Sequence, residues 1–282
     1  MKTIKVCYSE RDNIGDSINP FILRDVLGVK FKNVDKYSCD ITGIGSGLRR
    51  FFYNPDETTL PRKAIKSLFS QIYYKPVILW SAGFLSTPKG KQSLTRKNIV
   101  PACVRGELSK SYVGKITGIN MDSCVTGDAG LLVSELVPSN SEKRFKLGII
   151  PHDKERDEVE YNAIHNNIPD STIIDVRGDV IQRLKAISEC ECIISSSLHG
   201  LIIADSFSIP NRRVVLTNKL SGDGFKFDDY YSAFSVEHKP IDLRGGLDLD
   251  VRSIISGYKI SFDAVEEKKA KIKEAFFKYI DD

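Results

Sequence analysis

The amino-acid sequence predicts an α/β protein with two doubly wound, Rossmann-like domains that face a central cleft. Short apolar segments alternate with segments of helical period along most of the chain, and this alternation is typical of parallel sheets with right-handed helical crossovers. The pattern runs twice, and a polar segment with a proline, PSNSEK at 138–143, separates the two runs. The length of 282 residues also suits two domains of ordinary size. We therefore expect domains at 1–137 and 138–282.

The first run contains four strand-like segments and two helices. The predicted strands are TIKVCYS, CDITGIGSG, PVILWSAGF and the start of VPACVRGELSKSYV. The segment SINPFILRDVLG predicts a helix that Gly28 closes, and a second helix begins near Glu107. The short apolar segment SCVTGDAGLLV ends this run.

The second run repeats the alternation of strands and helices. Its predicted strands are FKLGIIPHD, STIIDV, the start of ECIISSSLHGLIIADSF, and NRRVVLT. DEVEYNAIHNNI and DVIQRLKAISEC predict helices between them, and FDDYYSAF predicts a helical turn. The tail from Ser261, a helix-capping residue, to Ile280 predicts a final amphipathic helix.

Composition bounds the function classes. Charged and apolar contents of 28% and 41% are those of a globular protein. Residues 1–137 carry 20 basic and 12 acidic side chains, whereas 138–282 carry 21 and 25, so we expect the first half to meet an anionic partner. A nucleic acid is disfavoured because the charge is modest and no recognition motif appears. The six cysteines lack metal-ligand spacing, and Cys190 and Cys192 are expected to be buried thiols.

No segment predicts a secretory signal or a membrane span. Lys5 interrupts the apolar start of the chain, and VILWSAGFL is too short to cross a bilayer. We therefore expect a cytoplasmic protein. The segment at 48–69 interleaves basic and aromatic residues, which indicates either a solvated lid or a peripheral contact with an anionic membrane surface.

Polar residues collect where the predicted strands end. Parallel sheets bind ligands beyond the carboxyl ends of their strands, so these turns are the candidate site. They lie at 13–19, 43–47, 81–84, 105–109, 127–130, 152–153, 177 and 195–200.

The turns NIGDSIN and GIGSG predict contacts with an acceptor. Helix capping explains one of the polar residues at 13–19, and Asp16 and Asn19 are suited to bind acceptor hydroxyls. GIGSG fits neither a nucleophile elbow nor a complete dinucleotide fingerprint, and tight turn geometry explains most of it. Its backbone at Gly45 and Ser46 could still approach an anionic group closely.

SSSLHG at 195–200 is the strongest candidate. Backbone N–H groups at a helix N-terminus favour an anion, and the hydroxyls of Ser195, Ser196 and Ser197 add donors. His199 has a usual pKa near 6.5 and could exchange a proton at neutral pH. The alternative is serine capping with a histidine packed over the turn.

Three basic residues complete the candidates. Arg105 follows a strand, and its planar guanidinium suits a carboxylate or phosphate, with a surface ion pair to Glu107 as the alternative. Arg212 and Lys226 are further cations in the second half, and Asp228 to Tyr231 predict a hydrogen-bonded anchoring turn.

Taken in order, these turns resemble the polysaccharide pyruvyl transferase family. The matching stretches run from residue 13 to residue 231: NIGDSINPFIL, GIGSGL, LWSAGF, CVRGELSKSYV, TGDAGLLV, LGIIPHD, CIISSSLHGLIIADSFSIP and KFDDYY. The chain has Ala129 where the family pattern has proline, and it is short for the family.

The resemblance implies an architecture like that of B-type glycosyltransferases. It also implies transfer of pyruvate from phosphoenolpyruvate to a sugar of an exopolysaccharide or capsule, as a ketal, with no metal or cofactor. By matching the motifs, His199 and Arg105 would be catalytic. Donor binding would fall to Ser195, Ser196, Ser197, Gly200, Arg212 and Lys226, and acceptor binding to Asp16, Asn19, Gly45 and Ser46.

The acceptor is expected to be a glycan. One form of it is a lipid-linked glycan with a pyrophosphate group at the inner membrane surface, and the basic first half of the chain would face this acceptor. Two other functions remain open from the sequence. One is a B-type glycosyltransferase that uses a nucleotide sugar, and the other is a non-catalytic binding protein on the same scaffold.

Overall fold

The computed structural model describes residues 3–55, Ile65, Leu68, 75–138 and 142–280. Most of the basic and aromatic segment at 48–69, and residues 139–141 of the predicted linker, lie outside these ranges.

The first half contains a five-stranded parallel sheet with the spatial order β2-β1-β3-β5-β7. Its strands are β1 (Ile4–Cys7), β2 (Phe31–Asn33), β3 (Ile41–Thr42), β5 (Val77–Leu79) and β7 (Ile99–Pro101). The strands β1, β3 and β5 were predicted, and β7 overlaps the start of the strand predicted in VPACVRGELSKSYV, whereas β2 was missed.

Two smaller strand pairs accompany this sheet. An antiparallel pair is formed by β4 (Phe52–Tyr53) and β6 (Ser93–Leu94), and a parallel pair by β8 (Cys103–Val104) and β9 (Val125–Thr126). A single bridge between Ala82 and Val104 connects the second pair to the end of the main sheet.

The second half contains a matching parallel sheet with the order β11-β10-β12-β13-β14. Its strands are β10 (Leu147–Ile150), β11 (Ser171–Ile173), β12 (Ile193–Ser195), β13 (Asn211–Val215) and β14 (Ile241–Asp242). The prediction of two doubly wound parallel sheets is therefore confirmed.

Helices connect the strands of both sheets at nearly the predicted positions. They are α1 (Ile14–Phe21), α2 (Glu107–Thr117), α3 (Val159–Asn167), α4 (Val180–Ser188), α5 (Leu198–Ser206), α6 (Phe225–Ser232), α7 (Val251–Ser256) and α8 (Phe262–Ile280). A π-helical segment, Ile22–Val26, continues α1, and Gly28 follows with φ +66°, a left-handed conformation that glycine adopts readily. Short 3-10 helices lie at Gly47–Arg50, Ala129–Glu135 and Asp153–Glu155.

Both sheets reverse their strand order at one place, and these places decide where a ligand can bind. In the first sheet β1 lies between β2 and β3, and in the second β10 lies between β11 and β12. A crevice opens outside the carboxyl ends of strands at such a switch point. The chain segments that follow β1, β3, β10 and β12 are therefore the ones expected to meet.

The C-terminal helix α8 returns to the first half of the chain. Trp80 Nε1 donates a hydrogen bond to the Ile272 carbonyl at 3.1 Å, and the Trp80 and Phe276 rings pack edge to face with centroids 4.9 Å apart. The expectation placed this helix in the 138–282 domain by sequence order alone. Its apolar face instead packs against strands and a 3-10 helix of residues 1–137.

One apolar core spans the two halves. It includes Ile18 from α1, Leu131 from the 3-10 helix, Ile202 from α5 and Ile272 from α8. Because both halves bury residues in the same core, the edges of their sheets are held close together. Among the residues that the structure describes, none of the helices combines the length and apolar character needed to cross a bilayer.

Candidate functional site

A cavity of about 760 Å³ lies at the two switch points. Its walls come from the segments after β1, β3, β5, β10, β11 and β12. The lining residues are Cys7, Tyr8, Ser9, Arg11, Asp12, Asn13, Asp16, Gly43, Ile44, Gly45, Ser46, Gly47, Arg50, Leu85, His152, Asp153, Lys154, Arg177 and His199.

Asn19 holds together the two turns of the first-half wall. Its Oδ1 accepts the Ile44 N–H at 2.8 Å, and its Nδ2 donates to the Asp16 carbonyl at 3.0 Å. The side chain is buried, and it is absent from the cavity wall. Asn19 was predicted to bind the acceptor. Its hydrogen bonds instead position Asp16 and the GIGSG turn. Gly45 and Ser46 of that turn do line the cavity.

Asp16 lies in the cavity wall with no hydrogen bond to its carboxylate from the described residues. Burial raises its pKa to about 6, although the charges of Arg11 and Arg50 act in the opposite direction. A carboxyl with a pKa near neutrality can accept and return a proton at physiological pH. The structure brings Asp16 to the cavity, as the sequence predicts.

His199, in the first turn of α5, closes the cavity from the second half. The ring lies against α1, since a Cβ atom on Gly15 would be only 2.0 Å from His199 Nδ1. Its Nε2 is buried without a hydrogen-bond partner. Burial, together with the charges of Arg105 and Lys226, lowers its pKa to about 3. The expectation that His199 titrates near neutral pH is therefore not met, because the buried imidazole is neutral there.

The three serines of SSSLHG are buried and lie behind the cavity wall. Ser195 Oγ donates to the Ile150 carbonyl at 2.8 Å and accepts the Ser197 N–H at 2.9 Å. Ser196 Oγ accepts the His152 N–H at 2.9 Å. Ser197 precedes α5 and makes no side-chain cap. These hydroxyls were predicted to bind the donor, but two of them satisfy neighbouring backbone groups.

Gly200 of the same motif is required for packing. A Cβ there would lie 2.5 Å from Ser195 Oγ and 3.0 Å from an Ile150 methyl group. The glycine therefore allows α5 to pack closely on β10, and its predicted role in donor binding gains no support from its position.

Arg105 is fully buried in an ion pair that crosses between the two halves. Its Nε donates to Asp229 Oδ2 at 3.0 Å, its Nη1 donates to Ser46 Oγ at 3.1 Å, and its Nη2 donates to the Phe84 carbonyl. Glu107, the partner considered from sequence, instead accepts from Thr126 Oγ1 at 2.7 Å. Arg105 thus lies one side chain behind the cavity and supports Ser46 in its wall.

Asp229 neutralises Arg105, and the anchoring turn predicted at 228–231 is confirmed. Besides Arg105, Asp229 accepts hydrogen bonds from the N–H and the hydroxyl of Ser109, both at 2.7 Å. Tyr230 in the same helix donates to Asp205 Oδ2 at 2.7 Å.

Lys226 is a buried cation next to the cavity. Its Nζ lies 5.0 Å from the Phe227 ring, and no ion pair or hydrogen bond to it is found in the described ranges. Burial and the charges of Arg105, Arg213 and Lys154 lower its pKa to about 8. Lys226 in turn lowers the pKa of both His152 and His199, so it is close to both rings.

Arg212 is not brought to the cavity. Neighbouring residues of a strand point to opposite faces of the sheet, and Arg213 stacks on Phe227 at 3.9 Å. Arg212 points away, donates to the Lys239 carbonyl at 3.2 Å and lines a separate pocket of about 200 Å³. The prediction of Arg212 as a donor-binding residue is therefore wrong, because strand register turns this arginine to the far face of the sheet.

Three cations of the cavity wall, Arg11, Arg50 and Lys154, were missed from the sequence. Arg50 donates to Cys7 Sγ at 3.2 Å and to Ser9 Oγ at 2.9 Å, and Lys154 donates to Ser221 Oγ at 2.6 Å. Arg50 belongs to the basic and aromatic segment that was considered as a lid or a membrane contact. Its position three residues after GIGSG was a signal that it follows the end of β3.

Comparisons with known proteins give one family and two relatives. The family model described as "Polysaccharide pyruvyl transferase" matches residues 4–215. A protein of Acanthamoeba polyphaga mimivirus named "Uncharacterized protein L143" is 29% identical over 244 residues, which are 84% of this chain and 76% of that protein. "Succinoglycan biosynthesis protein ExoV" of Rhizobium meliloti (strain 1021) is 24% identical over 233 residues, which are 82% of this chain and 65% of that protein.

Two solved structures overlap almost the whole chain with low similarity. UDP-GlcNAc 2-epimerase of Methanocaldococcus jannaschii, in complex with UDP-GlcNAc and UDP, covers 99% of both chains at 11% identity with a TM-score of 0.45. The spinosyn rhamnosyltransferase SpnG covers 99% of this chain and 95% of its own at 10% identity, with a TM-score of 0.36.

Replacing Asp229 tests the ion pair that crosses the halves. Asp229→Asn leaves Arg105 buried without a counter-charge, and we expect it to lower the free energy of unfolding by about 3–5 kcal/mol. The matched control is Asp228→Asn, whose side chain is exposed, with an expected change below about 0.5 kcal/mol. Urea unfolding monitored by tryptophan fluorescence measures both, and equal stabilities for the two variants would contradict the assignment.

Replacing Asp16 tests its raised pKa. The folded protein binds the proton more tightly than the unfolded chain, so ionising Asp16 costs stability as pH rises from about 4 to about 6. Asp16→Asn removes this cost, and we expect the variant to be about 1 kcal/mol more stable than wild type at pH 8, after allowance for solvent screening. At pH 4 the gain should largely disappear. A stability difference that is the same at both pH values in urea unfolding would show that Asp16 titrates normally.

Proposed function

The chain belongs to the polysaccharide pyruvyl transferase family, and from this membership we propose that it transfers pyruvate from phosphoenolpyruvate to a sugar of a cell-surface polysaccharide or of its lipid-linked precursor. The product is a ketal formed with two hydroxyls of that sugar, and inorganic phosphate is released. The identity of the donor, the ketal product and the form of the acceptor are all proposed.

The observation that carries the proposal is a cluster of cations near two neutral histidines, His152 and His199. Arg105, Arg213, Lys154 and Lys226 are close enough together that three of them lower the pKa of the fourth, Lys226. Asp229 pairs with Arg105, but no ion pair to Lys226 is found among the described residues. Such crowding of like charges is unfavourable, and an anionic ligand would relieve it. Phosphoenolpyruvate has both a phosphate and a carboxylate.

The chemistry requires one proton at carbon 3 of the donor and the removal of one from each acceptor hydroxyl. In the first step a sugar oxygen bonds to carbon 2, and a proton bonds to carbon 3, which becomes a methyl group. In the second step another hydroxyl of the same sugar bonds to carbon 2, the bond from carbon 2 to the phosphate oxygen breaks, and phosphate leaves. General acid and base groups within reach of the reacting atoms speed such steps.

His199 is proposed as the acid and Asp16 as the base. The negatively charged phosphate and carboxylate of the donor would raise the pKa of His199, because a nearby negative charge favours the imidazolium. The protonated ring could then deliver the proton to carbon 3. Asp16 is ionised above about pH 6 and lies in the cavity wall, so its carboxylate can take the proton of an acceptor hydroxyl.

Arg105 is proposed to act on the donor from its buried position. Its hydrogen bond to Ser46 fixes one wall of the cavity, and its charge helps to lower the pKa of His199, which supports an effect of Arg105 on the proposed acid. Preorganised charge in a buried site stabilises developing negative charge more strongly than the same charge in water. The backbone at Gly45 and the side chains of Ser46 and Asp16 form the proposed acceptor side.

The acceptor and its location are supported only by charge. The excess of basic residues in 1–137 suits a glycan attached to a lipid pyrophosphate, and a peripheral position at an anionic membrane surface would present such an acceptor. Binding of the protein to anionic liposomes at low salt, lost at high salt, would support this part of the proposal.

Mass spectrometry of glycans tests the proposed reaction. The protein is incubated with phosphoenolpyruvate and with fragments of bacterial surface polysaccharides, and in parallel with nucleotide sugars. We expect one glycan to gain the mass of a pyruvate ketal and to release one equivalent of phosphate. Transfer of a hexose from a nucleotide sugar, with no ketal from phosphoenolpyruvate, would contradict the proposal.

A pair of cation variants tests how the donor is bound. Lys226→Met should weaken phosphoenolpyruvate binding by about tenfold to a hundredfold, the range expected for loss of a hydrogen bond to a charged group. Arg212→Met is the matched control, because Arg212 lines another pocket, and its affinity should equal that of wild type. Isothermal titration calorimetry measures both, and an effect of Arg212→Met as large as that of Lys226→Met would refute the placement of the donor.

A further inference from the structure

His152 follows β10, and a hydrogen bond to its ring decides which ring nitrogen carries the proton. It begins the 3-10 helix Asp153–Glu155, and its Nδ1 accepts the N–H of Lys154 at 3.1 Å. Because Nδ1 is used as an acceptor, the neutral ring must hold its proton on Nε2. Burial, followed by the charge of Lys226, lowers the pKa of His152 to about 4, so the ring is neutral at physiological pH. It therefore presents one N–H donor.

A buried hydroxyl group, itself in contact with a second one, holds the backbone of His152. Its N–H donates to Ser196 Oγ at 2.9 Å. Ser196 Oγ lies 2.8 Å from Tyr161 Oη, which lies 3.1 Å from Glu155 Oε2. Ser196, Tyr161 and Glu155 are all almost inaccessible to solvent. The serine of SSSLHG therefore fixes the segment that carries His152.

His152 lines the same cavity as His199 and Lys154. No hydrogen bond to its Nε2 is found within the described residues, and its charge state is coupled to that of His199. A neutral N–H donor next to Lys154 and Lys226 suits an anionic oxygen, because it adds a directed hydrogen bond to their less directional charge.

We propose that His152 is a donor-binding residue whose Nε2–H donates a hydrogen bond to a phosphate or carboxylate oxygen of phosphoenolpyruvate. The inference rests on the proposed function for the identity of the ligand. Ser196 is then a positioning residue that acts through His152 and does not itself contact the donor.

Two variants of His152 separate the Nε2 donor from the cap on Lys154. His152→Asn keeps a side-chain oxygen that can accept the N–H two residues later, as asparagine does at helix starts and Asx turns, but it has no donor at the position of Nε2. His152→Ala removes both groups. His238→Asn is the control, because His238 lines the separate pocket with Arg212.

Isothermal titration calorimetry with phosphoenolpyruvate, and thermal unfolding without it, are measured for wild type and all three variants. We expect His152→Asn and His152→Ala to weaken binding by a similar factor, about tenfold or more. Only His152→Ala should also lower the Tm of the free protein appreciably, and His238→Asn should bind like wild type.

The outcomes separate this inference from the proposed function. Wild-type affinity in His152→Asn, with weakened binding in His152→Ala, would show that His152 only caps the turn and would overturn the inference alone. A wild-type protein that binds no phosphoenolpyruvate would overturn the proposed function and this inference with it. Weakened binding by both His152 variants, with normal stability of His152→Asn, would establish the donor contact.

Discussion

The arrangement of the site depends on the buried ion pair between Arg105 and Asp229. Arg105 follows β8 of the first half and Asp229 lies in α6 of the second, and both side chains are fully inaccessible to solvent. The close approach needs two glycines. A Cβ on Gly83 would lie 2.4 Å from the guanidinium carbon, and one on Gly106 would lie 1.6 Å from the Asp229 carbonyl oxygen. A buried pair of this kind contributes little net stability, but breaking it is costly, so it selects one relative placement of the two halves.

This placement has electrostatic consequences for the cavity. Burial, together with the positive charge of Arg105, lowers the pKa values of Lys226 and His199 well below their usual ones. The imidazole of His199 is therefore neutral, and the ammonium group of Lys226 loses its proton more easily than usual, at a cavity of about 760 Å³. Asp16 across the cavity has the opposite shift, because burial raises the pKa of a carboxyl.

The SSSLHG turn shows how far a motif can be interpreted without a structure. The sequence places it correctly between β12 and α5, since an apolar strand and a helical period are local patterns. It also places His199 at the cavity, because residues that follow a strand at a switch point must lie there. The serines could not be assigned in the same way. Whether a hydroxyl faces a ligand or a neighbouring carbonyl depends on β10, which lies 45 residues away from Ser195 in the chain.

The sequence by itself determined the two parallel sheets, most of their helices and the set of turns that form the cavity, because each follows from hydrophobic period and turn residues within a short window. The tertiary structure decided which residues of those turns line the cavity. Register alone turns Arg212 away from Arg213, and packing across the halves pairs Arg105 with Asp229 and makes His199 neutral. Burial and Coulomb interactions depend on residues that are distant in the chain, so no local pattern contains them.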